Sequence, residues 1–103
     1  MEVGVITLLV LLTYDVSTET SEGRKRLNKV AKKCVAHGQR VQNSVFECNL
    51  DWGQFIKLQD ELKNIIDPSK DSLRFYCLGN SYRDKVTHIG VKPSIELEGE
   101  LIL

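Results

Sequence analysis

Asp15 is the residue of this 103-residue chain most open to a chemical reading, because it ends the apolar run LLVLLTYDV from Leu8 to Val16. An acid at the end of a buried strand is either a turn or N-cap residue leading into a helix, or a ligand for a hard cation. Mg2+ takes oxygen ligands and usually one or two protein carboxylates with waters and phosphate. One carboxylate does not make such a site, but a two-fold dimer would bring two copies of Asp15 together. The second group is cationic: Arg24, Lys25, Arg26, Lys29, Lys32 and Lys33 follow one another with no acid among them. That block forgoes the i,i+4 pairs that stabilise an isolated helix. It is either a solvated face or a footprint for phosphates.

The remaining reactive side chains form no constellation. Cys34, Cys48 and Cys77 are odd in number and set among apolar neighbours, which reads as buried free thiols of a reducing cytosol. With no CxxC pair, and with His37 and His88 not spaced as ligands to them, a zinc site is disfavoured. His37 reads as a helix C-terminal cation and His88 as a strand residue. There is no Ser/His/Asp set, no Gly-rich phosphate loop and no aromatic ladder of the kind that reads single-stranded RNA.

Those residues must be positioned by a small domain. The length and a composition of 42% hydrophobic and 27% charged residues suit one globular unit over residues 1–103. So small a unit buries a limited share of its surface, which makes a partner chain a natural expectation. Net charge is zero, yet the acids gather later, from Glu47, Asp51, Asp60, Glu61, Asp67 and Asp71 to Glu96, Glu98 and Glu100. One face is therefore expected to be basic and another acidic. Val3 to Leu12 is too short to span a bilayer and lacks the flanks of a signal peptide, so a cytoplasmic protein without membrane contact is expected.

Leu8 to Tyr14 is apolar on both faces, as a central strand covered on both sides would be, with residues 1–7 as a possible extension. Polar residues from Ser17 to Glu22 offer N-caps, and Leu27, Val30, Ala31, Cys34 and Val35 recur at helical spacing. Lys25, Lys29 and Lys32 fall on the opposite face of that helix, and Gly38 is expected to end it in a left-handed C′ position. Gln39 to Leu50 reads as a hairpin whose second strand is Ser44 to Cys48. Asp51 and Gln54 form a capping box for a helix carrying Trp52, Phe55, Leu58, Leu62, Ile65 and Ile66, with Trp52 and Phe55 assigned to the core; Asp67 and Pro68 end it. Ser72 to Gly79 and Thr87 to Val91 complete the strands. The order predicts an α+β, ferredoxin-like β-α-β-β-α-β sandwich with an additional C-terminal strand. Two helices would cover one sheet face, leaving the other to solvent or a partner, and the LLVLL run favours the partner.

Several ordered motifs then carry a resemblance: LLTYDVST at Leu11 to Thr18, GRKRLNKVAKKC at Gly23 to Cys34, GQRVQNSVFECNL at Gly38 to Leu50, DSLRFYCLGN at Asp71 to Asn80 and HIGVKPS at His88 to Ser94. Together they resemble the CRISPR-associated protein 2 family, in its subtype I-C-like form; Met1 to Thr7 lies outside the resemblance. It implies a homodimer with packed sheets, in which residues 87–103 form the C-terminal strand and tail at the dimer interface. It further implies a metal-dependent endonuclease using Mg2+, with Mn2+ as a substitute, that hydrolyses phosphodiesters in double-stranded DNA in preference to single-stranded RNA. A place beside the CRISPR-associated integrase, protein 1, in spacer acquisition follows from the same likeness. Asp15 from each protomer would be the catalytic metal ligand. Arg24, Lys25, Arg26, Lys29, Lys32 and Arg40 would bind nucleic acid, with Arg24 and Arg40 as phosphate clamps, and Tyr14 and Phe46 would support the site. The alternatives are a non-catalytic DNA-binding scaffold for the integrase, and a ferredoxin-like regulatory module that binds a metabolite.

Overall fold

A computed structural model of the chain describes residues 6–79 and 85–91. The elements run β1 (Leu8–Asp15), α1 (Ser21–His37), β2 (Gly38–Gln42), β3 (Val45–Leu50), α2 (Trp52–Ile65) and β4 (Ser72–Cys77). They build one four-stranded sheet of order β2-β3-β1-β4, antiparallel at each pairing. This is the ferredoxin-like arrangement predicted from the order of elements, and the apolar run is a central strand.

Alternation along β1 decides which side chains meet the helices. Val10, Leu12 and Tyr14 point to one face, where they join Phe46, Cys48 and Leu50 of β3, Val30 and Cys34 of α1, and Phe55, Leu58 and Leu62 of α2 in a single core cluster. Val10, Leu12, Phe46, Leu58 and Leu62 are fully buried. Removing that much apolar surface from water is the main force holding the helices on the sheet. Leu9 is also buried but stands outside that cluster. It belongs with Leu11, Thr13 and Asp15 to the face that carries no helix.

Both helix starts are capped as their sequences require. Thr20 is the N-cap of α1, its hydroxyl accepting from the Gly23 amide at 3.0 Å. Asp51 and Gln54 complete the capping box of α2, with bonds of 2.7 and 2.9 Å. Among the described residues, no helix is long and apolar enough to cross a membrane.

Several expectations are corrected. Gly38 is extended (φ −159°, ψ −173°) rather than left-handed, because α1 passes straight into β2. Glycine is needed there for space: a Cβ would meet the Cys48 sulfur and approach the Glu47 carbonyl oxygen at 2.6 Å. Val35 is 53% exposed, since the buried line of α1 runs through Gly23, Val30 and Cys34 and the next residue is turned about 100° away. Trp52 is 63% exposed, its ring set edge-on to Phe55 at 5.6 Å, so the buried stripe of α2 begins one turn later. Cys77 is exposed at the end of an edge strand, while Cys34 and Cys48 are buried. The second hairpin strand is shifted to Val45–Leu50.

Thr87 to Val91 is not a strand in the single chain. Ile89 and Val91 are 88% and 92% exposed, and in place of a strand ladder the Gly90 and Val91 carbonyls meet the His88 ring nitrogen Nε2 at 3.2 and 2.8 Å. Residues 92–103, which the sequence assigns to a tail at a dimer interface, lie outside the described residues, as do residues 1–5.

A candidate metal centre and nucleic-acid interface

Asp15 is the last residue of β1, exposed, on the sheet face opposite the helices. Thr20, not Asp15, caps α1, and no hydrogen bond or ion pair of the Asp15 side chain is formed among the described residues. The local-structure reading of this carboxylate therefore loses its mechanism. No group of three His, Cys, Asp or Glu that could hold a metal occurs among the described residues. One chain thus supplies one hard oxygen ligand, which suits an ion that keeps most of its waters and draws further oxygens from a second copy or a phosphate.

Tyr14, the neighbour of Asp15, points the other way. Its ring stacks on Phe46 with centroids 6.2 Å apart, and its hydroxyl donates to the Asn43 carbonyl at 3.3 Å. Burial raises the Tyr14 pKa, so it is a phenol and a support rather than an acid-base group. Arg40 lies on this same covered face: Arg40, Phe46 and Leu12 are in register across β2, β3 and β1. The guanidinium sits 5.0 Å over the Phe46 ring and donates to the same Asn43 carbonyl at 2.8 Å. Within one chain, then, Arg40 and Asp15 are on opposite sides of the sheet. Arg40 instead shares a groove with Lys32 and Asn28 of α1.

The six bases of α1 divide by partner. Lys33 reaches Glu61 of α2 at 3.5 Å. Arg26 forms a two-pronged pair with Asp71, at 2.7 and 3.3 Å. Arg24 donates to the Thr18 carbonyl at 3.1 Å, in the loop after Asp15. Lys25, Lys29 and Lys32 are exposed and make no ion pair among the described residues. They are one turn apart on one face, where like charges repel and a polyanion would relieve the strain.

Sequence reasoning missed two residues. Arg74 of β4 is opposite Thr13, two positions from the pair Asp15 and Ser72, so it shares the open face with Asp15 and is exposed. Asp71, grouped above with the acids expected to make one face acidic, is buried. It holds the Ser17 and Asp67 amides as well as Arg26, and the Arg26 hydrogen bonds hold its pKa down at about 2. A signal for it existed: Arg26 is four residues before the buried Val30, hence on the inner side of the helix, where a cation needs an acid. The two core thiols are pushed up to about 12 for Cys34 and about 11 for Cys48, chiefly by burial, which removes them as nucleophiles at neutral pH.

The fold and site together define a small two-helix, four-stranded ferredoxin-like domain with an exposed carboxylate at the end of its central strand and a basic first helix. The match to known proteins is specific. Residues 8–86 fit the model of the CRISPR associated protein Cas2 family, and the chain belongs to that family. It is 61% identical to a CRISPR-associated endonuclease Cas2 of Halalkalibacterium halodurans, over 92% of this chain and 99% of that protein. It is 56% identical to a CRISPR-associated endoribonuclease Cas2 of Chlorobaculum tepidum, over 93% of this chain and all of that one. The crystal structure of Streptococcus pyogenes Cas2 at pH 6.5 superposes with a TM-score of 0.69 at 54% identity, covering 80% of this chain and 99% of that chain.

Proposed function

We propose that this protein is a Mg2+-dependent endonuclease of CRISPR adaptation, acting as a homodimer on double-stranded DNA in preference to single-stranded RNA. The observation that carries the reading is Asp15: exposed, unpartnered among the described residues, and held at the end of a rigid central strand. Two copies of the open face brought together about a two-fold axis would set the Asp15 carboxylates against each other, as Mg2+ would require. Bound there, Mg2+ would lower the pKa of its water and steady the charge that develops on the scissile phosphate.

The chain's own groups do the rest. Asp15 would hold the ion through a carboxylate carried at the end of β1, where its backbone pairs with Ser72 of β4. Arg24, tied by one Nη to the Thr18 carbonyl, keeps its other donors for a phosphate oxygen. Arg74, on the face of Asp15, is better placed as a clamp than Arg40. Lys25, Lys29 and Lys32 would hold the backbone of a duplex without reading sequence. The subtype I-C-like character, the cytoplasmic setting and Mn2+ as a substitute ion belong to the same proposal.

A second reading is favoured by the division of the basic residues: Arg40 and Lys32 form a surface remote from Asp15, suited to a scaffold that carries duplex DNA for the partner integrase. Asp15→Ala separates the two. Loss of Mg2+-dependent cleavage is expected; unchanged cleavage refutes the metal-ligand assignment. If spacer integration with the integrase persists while cleavage is lost, the scaffold is the biological role.

A further inference from the structure

The Asp71 side chain has no exposed surface and accepts four hydrogen bonds from three parts of the chain. Oδ2 takes Arg26 Nε at 2.7 Å and the Asp67 amide at 2.9 Å; Oδ1 takes the Ser17 amide at 3.0 Å and Arg26 Nη2 at 3.3 Å. Ser17 is two residues after Asp15, Arg26 is two after Arg24, and Ser72, next to Asp71, is the cross-strand partner of Asp15. Other contacts tighten the same corner. A Cβ on Gly23 would collide with the Ser17 carbonyl oxygen, so the first turn of α1 lies directly on the loop, and Arg24 is bound to Thr18 within it.

We propose that Asp71 and Arg26 are positioning residues, a buried clamp that fixes the β1–α1 crossover so that Asp15 and Arg24 address one phosphodiester. This rests on the nuclease reading above, and it gives Arg26 a task other than contact with the nucleic acid. Arg26 Nε and Nη2, one edge of the guanidinium, are both spent on Asp71, and a bidentate pair holds direction as well as distance. Displacements of about 1 Å at a reacting centre can cost about a hundredfold in rate. A clamp of this kind therefore acts on turnover rather than on substrate affinity.

Asp71→Asn tests it, because the substitution removes a negative charge beside a basic helix. It takes no phosphate-binding group away, so binding should be unchanged or tighter. The expected result is a kcat lowered about tenfold to a hundredfold with KM for duplex DNA unchanged or lower. Mn2+ affinity, read by paramagnetic resonance, should fall severalfold, and the Ser17 amide should lose hydrogen-exchange protection. An unchanged kcat and Mn2+ affinity, measured well below the melting temperature, would leave Asp71 a stabilising residue only and overturn the proposal. Should Asp71→Asn not fold, Arg26→Lys gives the same decision, since it keeps the charge and loses the two-pronged contact. A lower kcat with an unchanged salt slope is expected; an unchanged kcat, or a shallower salt slope alone, overturns it. Asp15→Ala run beside them distinguishes failure of the clamp from failure of the nuclease reading: if it too cleaves normally, the latter has failed.

Discussion

Val10, Leu12 and Tyr14 on one face of β1 are buried beneath two helices, whereas cover on the other face falls away along the strand, from buried Leu9 through half-covered Leu11 and Thr13 to open Asp15. Both sets come from one eight-residue strand, and only the parity of position separates them. On the covered face a residue is retained for what it fills. On the open face it is available for what it can bind, and the free energy that keeps Asp15 in place comes from its neighbours one step away. The division also explains why Tyr14 and Asp15, adjacent in sequence, have unrelated roles.

The largest effect is expected from emptying the covered face. Phe46→Ala removes a fully buried ring that supports both Tyr14 and Arg40, and should cost about 3–5 kcal/mol, read as a large fall in the denaturant midpoint. A destabilisation below about 1 kcal/mol would mean that the two faces are less different than their burial indicates. Asp15→Ala, on the open face, should do the reverse: cleavage falls by about a hundredfold or more, while the melting temperature stays within about 2 °C. Charge reversal at Lys29 and Lys32 should flatten the salt dependence of duplex binding, by about 0.9 in slope for each phosphate no longer neutralised, and leave folding untouched. An unchanged slope assigns the basic stripe to solvent.

The smallest expected effect concerns acid stability. The Asp71 pKa is lowered from 3.8 to about 2, first by Arg26, so its ionised form favours the folded state above the unfolded value. That contribution is lost as pH falls from about 4 toward about 2. Asp71→Asn should flatten the stability curve over this window, and urea titrations at pH 5, 3 and 2 would show it; an unaltered slope would mean that the ion pair is not formed in solution.

Much of this architecture was legible because hydrophobic period and capping residues agree. The β1 run, the Asp51 and Gln54 box and the order of elements lead to the same sheet. What was not legible depends on contacts between distant residues. Gly38 looks like a helix stop in any local reading, and only the approach of Cys48 and Glu47 shows that it is a spacer. Trp52 has the spacing of a core residue but falls in the first turn of α2, beyond the reach of the sheet. Asp71 is one acid among many until a fold brings Arg26 to it across 45 residues. The placement of Arg40 away from Asp15 follows from a hairpin register that its bulge between Arg40 and Gln42 makes hard to count.

The absence of any connecting residue between His37 and Gly38 bears on mechanics. A loop at that point would be a hinge, letting the helix swing relative to the sheet and shape itself to whatever approaches. Here the helix is welded at its C-terminal end to a hydrogen-bonded strand and tied near its N-terminal end by Asp71. Its lysines therefore form a template of fixed curvature, and the cost of fitting falls on the ligand. A flexible or bendable polyanion would meet that cost with little strain, whereas a stiff one of the wrong shape would touch only part of the row.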